Sequence, residues 1–163
     1  MTNEELMRHA DDFLAKEYGM CRTIPIKINN RLKRTLGRCL IVGNEIVKIE
    51  LSGDLIKYGA TQVIIDILKH ELIHYVMFVK GLPHSDGDAT FEQELLRLGV
   101  ASSGRYCVGM AVEYKCEVCG VNYEAFTKRV AEKPQKYRTK CCDGRLVILG
   151  ERIYDGKGTK EVC

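Results

Sequence analysis

No apolar run in this 163-residue chain approaches the ~20 residues that a bilayer-spanning helix needs. The opening stretch, MTNEELMRHADDFLAKEYG, lacks the basic-then-apolar layout of a secretory leader. There are only 3 prolines, no internal repeat and no low-complexity segment, so solenoid, fibrous and linker-dominated architectures are excluded. Charge of one sign is also missing. The 25 Lys and Arg nearly balance the 22 Asp and Glu, and a net +3 neither demands a nucleic-acid partner nor excludes one. These absences lead to the expectation of a soluble cytoplasmic protein with no membrane partner. The length suits one domain, or one domain with a small appendage.

What the chain does have is 45% hydrophobic residues and 8 cysteines. In a reducing compartment cysteines are more often metal ligands or buried thiols than disulfides. Cys21, Cys39 and Cys107 read as small buried apolar residues, and Cys163 as a terminal thiol.

Residues 3–18 place Leu6, Ala10, Phe13, Leu14 and Tyr18 at amphipathic helical spacing, with Thr2 and Glu5 set for a capping box. From Ile24 to Leu51 the runs IPIKI, RCLIV and EIVKIEL are separated by Asn29-Asn30 and Gly43-Asn44, which predicts a small antiparallel sheet. The sequence TQVIIDILKHELIHYVMFVKG follows, with Thr61 placed to cap and Gly81 to terminate a helix of about five turns. It is apolar nearly all round, with only Asp66, Lys69, Glu71 and Lys80 charged, so a central buried helix is expected. The polar loop LPHSDGDAT leads to a third helix, FEQELLRLG, ending at Gly99. These elements make an α+β core over residues 1–104. Beyond it the composition shifts to cysteines, basic residues and β-prone tyrosines, which predicts a separate small β module over 105–150 and a flexible end over 151–163.

The long helix contains His70-Glu71-Leu72-Ile73-His74, an H-E-x-x-H pattern. Residues four apart share a helix face, so both imidazoles can point a nitrogen at one ion. Glu71 lies about 100° round the helix, close enough to reach a water on that ion without becoming a ligand. This is the layout of zinc hydrolases, in which zinc lowers the pKa of its water to about 7 and the glutamate takes the proton as the water attacks a carbonyl. The histidines share their face with Val63, Ile67, Met77 and Phe78. Two unpaired imidazoles there would cost a few kcal/mol, a penalty that a metal removes. A catalytic zinc takes three protein ligands and keeps one position open. His84 is the leading third ligand, in a loop able to fold back over the site. Its rivals are Glu92 and Glu94 on the third helix and Asp86 and Asp88 in the loop.

In the second module Cys116-Glu117-Val118-Cys119-Gly120 has the form of a zinc knuckle. A four-cysteine site needs a second such pair, and the later cysteines Cys141 and Cys142 are adjacent rather than spaced by two. Between the pairs, residues 126–145 carry seven basic side chains (Lys128, Arg129, Lys133, Lys136, Arg138, Lys140 and Arg145) against Glu132 and Asp143. Tyr123, Phe126 and Tyr137 are interleaved with them. Such a stretch either contacts nucleic acid, the aromatics stacking on unpaired bases, or is a solvated strand pair whose aromatics form a small core.

Taken together, HELIH on a hydrophobic helix, a histidine soon after it, a phenylalanine opening the next helix and a C-terminal cysteine-rich segment resemble the SprT-like metalloprotease family, which includes the Spartan-type DNA-dependent proteases. The resemblance runs from about Ile24 to Ile148. It implies a zincin-like core with a zinc-ribbon-like module, and peptide hydrolysis with His70, His74 and His84 on zinc and Glu71 as the catalytic acid and base. It also implies protease action on proteins attached to DNA. Two departures stand out. The interval from His84 to Phe91 is longer than usual in the family. Where the family ends its ribbon with C-x-x-C-x-G, this chain has Thr139-Lys140-Cys141-Cys142-Asp143-Gly144, so Thr139 occupies a cysteine's place. Either Cys141 substitutes for it, or three thiolates and an outside ligand hold the structural zinc, or that zinc is lost. The expected substrate is an extended protein segment paired along a sheet edge at residues 45–51. A non-catalytic, zinc-containing nucleic-acid-binding protein is the alternative reading.

Overall fold

The computed structural model describes residues 1–101 and 106–157. Helix α1 (Asn3–Tyr18) begins with the expected capping box, in which the Glu5 amide donates to Thr2 Oγ1 and the Thr2 amide to Glu5 Oε2 at 2.7 Å. It ends at Gly19, whose φ of 63° is the left-handed conformation that closes the last turn. Leu6, Ala10, Phe13 and Leu14 form its buried stripe.

Strands β1 (Ile26–Asn29), β2 (Gly37–Val42) and β3 (Glu45–Ser52) form one sheet in the order β1-β3-β2. The sheet is mixed, not antiparallel. β2 and β3 make the hairpin across Gly43-Asn44, whereas β1 runs parallel to β3 in the register Ile26↔Ile49 to Asn29↔Ser52. Alternation of apolar residues fixes which face is buried and is the same whichever way a neighbour runs, so it could not reveal this direction. β3, expected at an edge, is the central strand, and its residues Ile49, Glu50, Leu51 and Ser52 are all buried. The edges belong to β1 and β2.

A short helix α2 (Gly53–Tyr58) follows directly, started by the Ser52 hydroxyl accepting from the Leu55 amide at 3.0 Å. Helix α3 (Thr61–Val79) is the central element, buried along its length from Val63 to Met77. Its N-cap is Ala60 rather than Thr61, because the Ala60 amide is drawn to the Asp155 carbonyl at 2.9 Å and the helix starts one residue early. Helix α4 (Ala89–Leu98) starts two residues before Phe91 and ends at Gly99 as expected. Its Phe91 and Leu95 close the core over α3.

Strands β4 (Val108–Cys116), β5 (Asn122–Ala125) and β6 (Leu146–Asp155) form a second, antiparallel sheet in the order β5-β4-β6, with helix α5 (Arg129–Glu132) and a 3-10 turn at Pro134–Lys136 between β5 and β6. β6 pairs with the whole of β4, from Leu146↔Cys116 to Asp155↔Val108, so residues 151–155 are strand and not part of a flexible end. This ladder carries the second sheet back to α3, where the Tyr106 hydroxyl donates to Asp66 at 2.7 Å. The expected boundary at 104/105 and the terminal Cys163 lie outside the described residues. Of the cysteines expected as buried thiols in the core, Cys21 is exposed in the connection after α1, Cys39 is half-buried, and Cys107 is half-buried and disulfide-bonded. Among the described residues no helix is long and apolar enough to cross a membrane.

Candidate functional site

One turn apart on α3, His70 and His74 bring their Nε2 atoms to 3.0 Å of each other. Phe91 of α4 holds the pair from the other side, stacked on His74 at 4.2 Å and edge-on to His70 at 5.4 Å. Burial pushes both imidazoles below their usual pKa, so they are neutral near pH 7. Their tautomers are constrained as well. His74 Nδ1 lies 2.5 Å from the His84 carbonyl oxygen, which can only accept. The His74 proton is therefore on Nδ1, and Nε2 presents a lone pair. His70 Nδ1 is the one buried side-chain nitrogen or oxygen among the described residues without a hydrogen-bond partner.

Asp86 completes the cluster. Its Oδ1 lies 3.0 Å from His70 Nε2 and 3.6 Å from His74 Nε2. A triangle with those two sides and the 3.0 Å between the nitrogens has a point roughly 1.9 Å from all three atoms, close to the 2.0–2.2 Å of zinc bonds to nitrogen and oxygen. The donor set therefore fits a small divalent ion. Of the other expected ligands, His84 packs its ring against Phe78 at 5.2 Å and directs Nδ1 to the Leu82 carbonyl. Asp88 accepts from the Ser85 amide and Glu92 from the Gly87 amide. Glu94 takes the Tyr18 hydroxyl and Arg97. The structure joins Asp86, and not these four, to the histidine pair.

Glu71 is buried beneath the pair, with only 3% of its surface exposed. Burial, reinforced by the charge of Asp86 and opposed by the Cys39 main chain, pushes its carboxyl up to about 8. It reaches this position because Gly37, at the start of β2, has no side chain. A Cβ there would come within 2.8 Å of Glu71 Oε1 and 2.9 Å of Ile67 Cγ2. Sequence reasoning misses Gly37, whose only signal is a glycine opening a β-prone run.

The second cluster is formed by Cys116, Cys119, Cys141 and Cys142, whose Sγ atoms all lie within 4.8 Å of one another. Cys141 takes the place left open, 3.3 Å from Cys119 Sγ. The tight loop from Thr139 to Gly144 makes this reachable, with backbone bonds between Thr139 and Gly144 and between Asp143 and Thr139, and Asp143 in the left-handed region at φ 52°. The Tyr123 hydroxyl bond lowers the Cys141 thiol to about 6, whereas Cys119 and burial push Cys142 up to about 12. Four sulfurs so placed could hold a metal. All seven basic residues of 128–145 are exposed.

The sequence profile of the SprT-like family matches residues 3–111, through the whole of the first sheet, α3 and α4. Three proteins carrying the name Protein SprT-like are similar over nearly their full length. The one from Bacillus velezensis is 28% identical over 155 residues, covering 90% of this chain and 97% of the relative. Those from Bacillus subtilis and Bacillus cereus are 29% and 26% identical, with 97% of each relative covered. With its profile matched across both the histidine pair and the helix that closes over it, the chain belongs to the SprT-like family.

Proposed function

We propose that this protein is a cytoplasmic zinc-dependent endopeptidase of SprT-like type. The observation that carries this reading is the convergence of two neutral histidine Nε2 atoms, 3.0 Å apart, beside the buried carboxyl of Glu71. His70 and His74 would hold the ion, which when bound would supply a Lewis acid and a water acidic enough to lose its proton near neutral pH. Glu71, buried beside the pair, would be the acid and base, holding a proton on a carboxylate oxygen and delivering it to the nitrogen of the leaving amine. Phe91 keeps both rings in register and seals one side from solvent. Edge strand β2, which starts beside Glu71 at Gly37, offers the free main-chain groups along which an extended peptide can pair. The four-cysteine cluster would hold a second, structural zinc.

The exposed basic residues of 128–145 support contact with nucleic acid, so substrates that are themselves bound to DNA fit this reading. The same observation supports the alternative of a non-catalytic nucleic-acid-binding protein. Glu71→Gln separates the two. The variant should fold and bind zinc like the parent, yet lose at least ~100-fold in cleavage of an unfolded protein substrate, assayed with and without single-stranded DNA. Cleavage at the parental rate would remove Glu71 from the mechanism. Salt-sensitive DNA binding, equal in parent and variant and with no cleavage by either, would favour the binding protein.

A further inference from the structure

We infer that the third ligand of the metal held by His70 and His74 is the carboxylate of Asp86, and that His84 acts on the site through its main chain alone. This rests on the proposed metal centre and makes it a two-histidine, one-carboxylate site.

The lone pairs carry the argument. Because His74 gives its Nδ1 proton to the His84 carbonyl, its Nε2 can accept but cannot donate. It nevertheless faces His70 Nε2 at 3.0 Å and Asp86 Oδ1, itself an acceptor, at 3.6 Å. One proton, on His70 Nε2, could satisfy only one of these approaches. A cation at the centre satisfies all three atoms at once, and the nearly equal sides of the triangle leave room for it. Asp86 is 64% exposed, and among the described residues its carboxylate pairs with no Lys or Arg but only with these two neutral rings, so no ordinary ion pair accounts for its position.

The loop that carries Asp86 is built to present it. Ser85 and Asp88 close a turn through the Ser85 amide on Asp88 Oδ2 and the Asp88 amide on the Ser85 carbonyl. Gly87, at φ 87°, adopts the left-handed conformation that a side chain would resist, and its amide is held by Glu92. Asp86 sits at the tip of this turn, five residues before the Phe91 that packs on both histidines. His84 lies two residues further back, where its carbonyl reaches His74 and its ring turns to Phe78. A carbonyl fixing the far nitrogen of a ligand histidine is the usual supporting contact in metal sites.

The test is zinc binding by the full chain, dialysed against a graded series of buffered free zinc concentrations and read by elemental analysis. The helix site is the step in the curve that His70→Ala removes. Asp86→Ala should weaken that step by more than ~100-fold, beyond the range of a supporting contact, while His84→Ala should weaken it by less than ~10-fold. Asp86→His, which returns a ligand to the same place, should recover most of the loss. Thermal melting confirms that each variant is folded. If His84→Ala abolishes the step and Asp86→Ala leaves it within ~10-fold of the parent, the assignment of Asp86 is overturned and the metal centre stands. If the parent shows no step that depends on His70, the metal centre itself is overturned, and Asp86 with it.

Discussion

The Thr139 hydroxyl lies 3.1 Å from the Cys116 sulfur and, in the same buried turn, accepts from the Gly144 amide at 3.2 Å. A residue standing where a cysteine ligand is expected has become a donor to one of the remaining thiols, and that hydrogen bond is the largest influence lowering the Cys116 pKa. Thr139→Val keeps the shape and removes both interactions. It should weaken metal binding at the four-cysteine cluster by ~10- to 100-fold and cost ~1–3 kcal/mol for the amide left unpaired. Competition with a chromophoric chelator and urea unfolding check the two effects. Cys141→Ser should weaken the metal further still.

Gly37→Ala addresses the position of Glu71 without touching a metal ligand. The added methyl would press on the Glu71 carboxyl and on Ile67, so one of them must move. The expected stability loss is ~1–3 kcal/mol. Cleavage should fall more steeply, by ~100-fold, because a displacement of about 1 Å is costly to a general base. Melting temperature and kcat/KM, measured together, distinguish displacement from unfolding.

Glu50 predicts a pH dependence. Buried in the central strand, its carboxylate accepts from Lys48 at 2.7 Å, Arg38 at 2.6 Å and Asn29 at 3.1 Å. These bonds, that of Lys48 foremost, hold it down at about 2. A folded pKa below the unfolded one gives stability that is present above the unfolded value, near ~4.3, and is lost as the pH falls through the folded one. Glu50→Gln should therefore be less stable than the parent at about pH 7, and the gap should shrink between about pH 4 and pH 2. Urea midpoints across that range test it.

The basic face should behave as a polyelectrolyte surface. Charge reversal at Lys128, Lys133 and Lys136 should weaken single-stranded DNA binding, and should flatten the dependence of log affinity on log salt by ~0.7 for each phosphate no longer neutralised. Fluorescence anisotropy at several salt concentrations reads both. The four-cysteine cluster, whose ligands these changes spare, should keep its metal.

Much of the architecture was legible in one dimension. Thr2 and Glu5 announced the start of α1, Gly99 the end of α4, and the unbroken apolar character of residues 61–79 the central place of α3. Local chemistry suffices for such features, because caps and helical periodicity involve residues a few positions apart. The same holds for His70, Glu71 and His74, brought together by a single helical turn. Helix α2 is not legible in this way, because six residues are too few to show a period and its cap, Ser52, ends a strand.

By itself the sequence determined the helix periods, the histidine pair with its buried glutamate, and the two sets of cysteines. Only the tertiary structure decided that β1 runs parallel to β3 and that β2 is the edge strand beside Glu71. It also decided that Cys141 joins the other three sulfurs, and that Asp86 rather than the His84 ring meets the histidines. The physical reason is common to all of these. Strand direction, edge position and ligand convergence depend on how loops such as 81–88 and 139–144 close, and loop closure is set by a few hydrogen bonds and left-handed residues that leave no periodic trace in the chain.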